Sequence, residues 1–464
     1  MRIDTTLTPQ KLLGPIRAMW ERSATAIRAL EKRWDPGQGA PVFTVKGRYT
    51  TRGWTEWTQG FQYGSALLQY DATGAEEFLR TGRDNTVERM AAHVTHRGVH
   101  DHGFNNVSTY GNLLRLLGEG RITADRWEQR YYALALACSG AVQASRWTTL
   151  AEGGYIYSFN GPHSLFADTI RTLRVLALAH SLGHVLAEES DRRVSLLERL
   201  VAHARATARY NVYYGEGRDR YDVPGRVAHE SLFNVNDGTY RCPSTQQGFS
   251  PFSTWTRGLA WIMCGYAELL EWLANLPEGE LAGSGGRAEV EGSMARAAQV
   301  TCDFYVANTP IDGVPYWDTG APGLAAMGDY LGRQSDPFND HEPVDSSAAA
   351  IAAQGLLRFG SWLSAHGRRE EGTRYTQAGL TVLSTLLCEP YLSSDPDHEG
   401  LLLHSVYHRP NGWDYVPPGR KVPCGESSMW GDYHLREAAL LVQRQAEDKP
   451  YLTFFAGLPA AGGR

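Results

Sequence analysis

At 464 residues the chain is longer than most single domains, so it holds either several domains or one large repetitive architecture. Its 42% hydrophobic and 21% charged residues are ordinary for a globular protein, and a formal net charge of -6 leaves no cationic excess to neutralise phosphates, so nucleic acid is not an expected partner. MRIDTTLTPQKLL has no apolar core and no long apolar run follows it, so neither a signal peptide nor a membrane span is expected; six dispersed cysteines without a C-x-x-C pair suit reduced thiols in a cytoplasm.

In chain order, apolar residues recur with helical period over 9–34, 56–71, 75–96, 106–117, 123–146 and 164–183. The same period returns over 189–212, 252–274, 290–307, 345–364, 368–388 and 429–445. Strand signals are sparse, with TVKGRYT and GLLLHSVYH the best candidates. The links between these twelve segments alternate. DATG, GEGRITA and SAHGR are short and polar, and LPEGELAGSGGRAEV is longer but low in complexity. The intervening links are mostly long and carry Trp, Tyr, His and Asp, and long irregular loops in compact domains are usually functional. Six antiparallel helical hairpins would put all the rich loops on one side. The pattern predicts an all-α fold, an (α/α)6 barrel forming one domain over 1–464, with its site at one rim. A plain helical solenoid is the alternative.

Aromatic residues make up 11% of the chain, and many sit beside Gly, Pro, Asp or Asn. Flat apolar rings in turn-rich segments suit the C–H faces of sugars. The third-to-fourth link, HVTHRGVHDHGFNN, holds His93, His96, His100 and His102. No Cys or second carboxylate has ligand spacing there, so neither a metal nor any other cofactor is expected. Asp101, between two His in a rim turn, reads either as a site carboxylate or as an Asx-turn or helix cap. Asp168, in GPHSLFADTIRTLRVLALAH, reads either as a cap or as a general acid. The helix dipole would lower its pKa, whereas burial against Phe166 or a second carboxylate such as Asp101 would raise it.

In STQQGFSPFSTWTRGLAW, Arg257 and Trp261 share a helix face near Gln247, a grouping suited to a carboxylate or sulfate. Buried structural Arg is the other reading. His229 lies upstream in the same long loop. DGVPYWDTGAPG and HSVYHRPNGW add Tyr316, Trp317, Asp318, Tyr407, His408 and Trp413.

These residues resemble the unsaturated glucuronyl hydrolases, glycoside hydrolase family 88, in seven ordered segments from about residue 54 onward. WTEWTQGF is similar to that family's Trp-Thr-x-Gly-Phe segment, with Trp57 as the stacking residue. VHDHGF resembles its His-Asp-x-Gly-Phe, which places its first site aspartate at Asp101. Asp168 matches the second, general acid/base aspartate, and STQQGFSPFSTWTRGLAW carries across Gln247, Arg257 and Trp261. DGVPYWD, DSSAAAIAAQGLL and HSVYHRP … ESSMWGDYHLREAAL are also close to family segments. The chain departs from the family pattern at Gln246 (His), Leu259 (Gln) and Val344 (Arg), and at Ile170, Arg171 and Thr172 (Met-Met-Asn).

The resemblance implies an (α/α)6 barrel and a hydration at the 4,5 double bond of a terminal unsaturated uronic acid on an oligosaccharide. Asp168 would supply and recover the proton, and Asp101 would keep it partly protonated by like-charge repulsion. Trp57 and Trp261 would stack the ring, and His100, His229, Gln247, Arg257, Tyr316, Trp317 and His408 would contribute further substrate contacts. The alternatives are a glycosidase acting on saturated glucuronides, an (α/α)6 sugar epimerase with His bases, and a non-catalytic glycan-binding barrel.

Overall fold

The computed structural model describes residues 1–53 and 57–458. The first three residues of WTEWTQGF (54–56) and the last six of the expected 1–464 domain lie outside the described residues.

Among the described residues, twelve principal helical segments occur in the expected order. They are α1 (Pro9–Arg33), α2 (Gln59–Thr73), α3 (Glu76–Arg89), α4 (His102–Asn106, Val107–Gly111 and Asn112–Gly118 in sequence), α5 (Arg126–Ser145) and α6 (Thr169–Thr172 and Arg174–Ser181). They continue with α7 (Leu196–Tyr210), α8 (Thr256–Leu273), α9 (Arg287–Ala307), α10 (Ser346–Ala365), α11 (Arg369–Leu386) and α12 (Met429–Ala446). The even-numbered helices form an inner ring, each packing on the next, with α12 closing on α2, and the odd-numbered helices lie outside. This is the (α/α)6 barrel.

The two rings differ in sequence for a physical reason. Every residue of α8, TRGLAWIMCGYAELLEWL, is buried, as expected of a helix that is apolar around most of its circumference. In α1 burial is confined to a stripe containing Leu12, Ile16, Met19, Trp20 and Leu30. Several starts are capped by side chains: Asp125 accepts from Trp127 N and Glu128 N, Asp345 from Ser347 N and Ala348 N, and Ser428 from Gly431 N. Inner helices approach closely at Gly103, where a Cβ would lie 2.0 Å from Thr172 O. The barrel axis is polar. Arg171 pairs with Glu268 (2.7 Å) and Glu437 (2.9 Å), and Arg358 pairs with Glu271 (2.8 Å). Arg171, one of the departures from the family pattern, therefore anchors a buried ion network below the rim. Among the described residues no helix is long and apolar enough to cross a membrane.

The short strands depart from expectation. TVKGRYT does form a hairpin, Pro41–Val45 with Arg48–Thr51. GLLLHSVYH makes isolated bridges at Leu402 and Leu403 instead of a strand, because His404 adopts a left-handed φ of 67° that interrupts the extended run. The expected helix from 164 begins later. Ser164–Phe166 is a strand paired with Glu230–Phe233, which pairs in turn with Tyr240–Ser244. This small antiparallel sheet matters for the site, because it ends with Ala167 N donating to His229 O (2.8 Å) and so places His229 beside the turn that carries Asp168.

Candidate active site

A cavity of about 310 Å³ opens at the loop-rich end of the barrel, lined by Arg52, Gly53, Trp57, His96, Val99, His100, Asp101, Phe104, Phe159, Asp168, Gln247, Trp255, Arg257 and Trp261. That size admits a sugar ring. Asp101 and Asp168 each stand at the N-cap of a short helical turn, yet neither side chain makes a capping hydrogen bond. Both carboxylates turn toward His100. Its Nε2 lies 3.1 Å from Asp168 Oδ1 and 3.7 Å from Asp101 Oδ1, and all three residues are buried.

The electrostatics reverse the order expected from sequence. Burial raises the pKa of Asp101, helped by the Asp168 charge and opposed by His100. Burial also acts upward on Asp168, but the His100 hydrogen bond and the positive charges of His100 and Arg257 outweigh it and hold this carboxyl below its ordinary value. His100 is itself raised: the two aspartates overcome the cost of burying its charge. In the free site Asp168 is therefore the more acidic carboxyl, and the like-charge effect falls mainly on Asp101.

Aromatic walls surround this triad. Trp57 stacks on Trp430 (4.9 Å between centroids, 29°) and tilts against Phe104 (5.6 Å). Trp261 forms part of the floor, packed on Phe104 (4.7 Å) and His434 (5.0 Å), and is 1% exposed. On the opposite wall, Phe159 lies over His100 (6.0 Å, 20°) and is 47% exposed.

Gln247 and His229 act as a unit. His229 Nδ1 accepts from Gln246 N (3.1 Å) and Gln247 N (3.3 Å), which puts the proton of the neutral ring on Nε2. Burial lowers its pKa to about 4, so the ring stays neutral near pH 7. Its ring packs between Phe166 (4.5 Å) and Trp255 (4.7 Å).

Arg257 Nη2 donates to Gln247 Oε1 (3.0 Å) and Tyr407 O (2.7 Å), and Nη1 donates to Asp345 Oδ2 (2.8 Å) and Val406 O. The amide oxygen of Gln247 is thereby fixed on Arg257, leaving its NH2 group for a ligand. The expectation that Arg257 itself grips an anion meets a guanidinium whose terminal nitrogens are already engaged.

Tyr316, Trp317, His229 and His408 do not line the cavity. Trp317 is buried with its indole N–H on Glu342 (2.8 Å), Tyr316 accepts from Asp336 N (3.3 Å), and His408 accepts from Asn411 N (3.3 Å) beside Trp413. Asp318 serves the loop by accepting from Phe249 N and Gly320 N. Phe159 and Arg52 were missed by sequence reasoning. The exposed aromatic in YSFNGPHS was the available signal for Phe159; nothing marked Arg52.

Two other histidines of the third link, His93 and His102, are structural. His93 contacts Gln59 (2.6 Å) and Asn105 (3.1 Å), and His102 contacts Ser139 (2.9 Å) and His96 O (3.0 Å). Burial lowers their pKa values to about 4 and about 3. With both ring nitrogens of each engaged, full turnover is expected after exhaustive chelation. Loss of activity restored by zinc or calcium would overturn that expectation.

No family model matches the chain. It is similar to an unsaturated glucuronyl hydrolase of Bacillus sp. (strain GL1), with 28% identity over 437 residues, 92% of this chain and 97% of the relative. An unsaturated chondroitin disaccharide hydrolase of Streptococcus pyogenes serotype M1 is 24% identical, over 86% of this chain and 84% of its own length. The crystal structure of the Bacillus sp. GL1 enzyme superposes with a TM-score of 0.69 at 23% identity, covering 96% of this chain and all of that one. An unsaturated glucuronyl hydrolase specific for heparin superposes with a TM-score of 0.71 at 18% identity, covering 94% and 98%.

Proposed function

We propose, from the premise that the chain belongs to the unsaturated glucuronyl hydrolase family, that it releases a 4,5-unsaturated glucuronic acid from the non-reducing end of oligosaccharides by hydrating the double bond. The observation that carries this reading is the pair of buried carboxylates joined through His100 in an aromatic-walled cavity.

The double bond and the ring oxygen form an enol ether. Asp168 donates its proton to C4, and the cation that develops at C5 is shared with the ring oxygen. Water adds at C5 and gives its proton to the Asp168 carboxylate, which restores the acid. The resulting hemiketal opens by breaking the bond from C5 to the ring oxygen, leaving a ketone at C5. The hemiacetal then left at C1 expels the neighbouring sugar. No side chain attacks the anomeric carbon.

Asp168 must be protonated to begin, although the free site holds its pKa down. Two changes on binding act in the required direction: the substrate excludes water, and its carboxylate adds a negative charge. Asp101 and the Gln247 NH2 would hold polar groups of the ring, with Trp57 and Phe159 on its faces. The test follows the ultraviolet absorbance of the conjugated double bond in lyase-generated disaccharides. Loss of absorbance supports hydration. Turnover of a saturated chromogenic glucuronide with no loss of absorbance would replace this reading with an ordinary glycosidase.

His100 offers a second test. His100→Asn removes the largest influence holding the Asp168 pKa down, so burial is left to raise it. A general acid remains protonated up to its pKa, so the alkaline limb of kcat/KM should move to higher pH even as the rate falls. A limb that stays in place or moves to lower pH would remove His100 from this role.

A further inference from the structure

We propose that Arg52 is the cation that pairs with an anionic oxygen group of the substrate, a carboxylate or a sulfate, at the mouth of the cavity. The inference rests on the hydration reading and adds the residue that meets the substrate's charge. Among the described cavity-lining residues, the guanidiniums belong to Arg52 and Arg257. Arg257 is 1% exposed, and its terminal nitrogens are engaged by Asp345, Gln247 and two backbone carbonyls. Taking Arg257 to a ligand would uncover the buried Asp345 carboxylate, which costs more than one new ion pair returns.

Arg52 is the opposite case. It is exposed, and its hydrogen bond is a long one, from Nη2 to Trp413 O (3.5 Å). Its guanidinium lies 4.4 Å from the Trp413 ring centroid and 5.6 Å from that of Tyr407. Stacking of this kind orients a guanidinium while leaving its in-plane N–H donors for a bidentate oxyanion. Trp57, five residues on, lines the same cavity and stacks on Trp430, against which Tyr407 also packs. The cation and the sugar-facing indole therefore share one aromatic cluster.

Arg52→Gln keeps a polar side chain at an exposed position and should fold normally. Three unsaturated disaccharides serve as probes: an unsulfated one, the same with a sulfate on its second sugar, and the unsulfated one as its uronate methyl ester. With the wild type, KM for the charged substrates should rise with salt. In the variant KM should be about tenfold higher for the substrate whose anion Arg52 meets, with kcat changed less than about twofold and the salt dependence flattened. An equal loss on both charged disaccharides that disappears on the ester assigns the carboxylate. A loss confined to the sulfated disaccharide assigns the sulfate.

KM values within twofold of wild type on all three probes, with unchanged salt dependence, overturn the inference and leave the hydration reading standing. Calorimetry separates the remaining outcomes. Disaccharide bound but not turned over by the wild type, with binding lost in Arg52→Gln, supports the Arg52 contact and overturns hydration. Binding by neither protein overturns both.

Discussion

Asp168→Asn is expected to abolish turnover of unsaturated disaccharides while leaving their binding largely intact. The two side chains are nearly isosteric, and Asn can still accept at Oδ1 from His100 Nε2, 3.1 Å away. The substitution removes the titrating proton. The amide cannot deliver one to C4, nor can it take one from the attacking water. Loss of a general acid–base group costs about 10² to 10⁴ in rate, and more where one group serves both steps. The stability cost should be small, because Asp168 makes no capping hydrogen bond that the fold would lose. The measurements are initial rates from the loss of ultraviolet absorbance, with calorimetric binding of the same disaccharide as the control. A folded variant that turns over within a few-fold of wild type would return Asp168 to the role of a helix-start carboxylate.

Asp101→Asn should also slow the reaction, but its pH signature is less simple than like-charge repulsion alone implies. Removing the Asp101 charge lowers the pKa of Asp168 directly. It also removes a support of the His100 charge, and that charge is what holds Asp168 down. The two effects oppose each other, which is why His100 is the cleaner probe of Asp168.

The barrel was legible because it is written in periodicity and punctuation. A largely apolar α8 and striped outer helices declare their rings, and the alternation of plain and rich links puts the aromatic loops on one rim. The strand at Ser164–Phe166 was not legible. Its partners lie some 70 residues on, and single-sequence periodicity carries no information about distant pairing. The cavity residues divide in the same way. Asp101, Asp168 and Gln247 stand in turn-rich segments whose residue types suggest chemistry. Trp317 and Tyr316 share that appearance, yet they fold inward to hold the loops together. The order of the Asp101 and Asp168 pKa values could not be read either, because it depends on His100 standing between two carboxylates that are 67 residues apart in the chain.

Arg257→Met is expected to damage stability as well as catalysis. Arg257 and Asp345 form a pair with side chains 1% and 0% exposed. Removing the guanidinium leaves the Asp345 carboxylate buried with only its N-cap contacts from Ser347 and Ala348 and a long hydrogen bond from Val406 N. Breaking one side of such a pair typically costs about 3–5 kcal/mol. Two carbonyls, of Val406 and Tyr407, also lose their donor, and Gln247 loses the bond that orients its amide. The unfolding midpoint should fall, and kcat/KM should fall with it. Neutralising the partner separates this account from an anion-binding role. Arg257→Met combined with Asp345→Asn no longer buries a lone charge and should be more stable than Arg257→Met alone, a positive coupling in a double-mutant cycle. Activity should not return with stability, since Gln247 stays unanchored. If instead Arg257→Met unfolds at the wild-type temperature and shows only a raised KM, the guanidinium is a substrate ligand, and the assignment of the substrate's anion to Arg52 must be reconsidered.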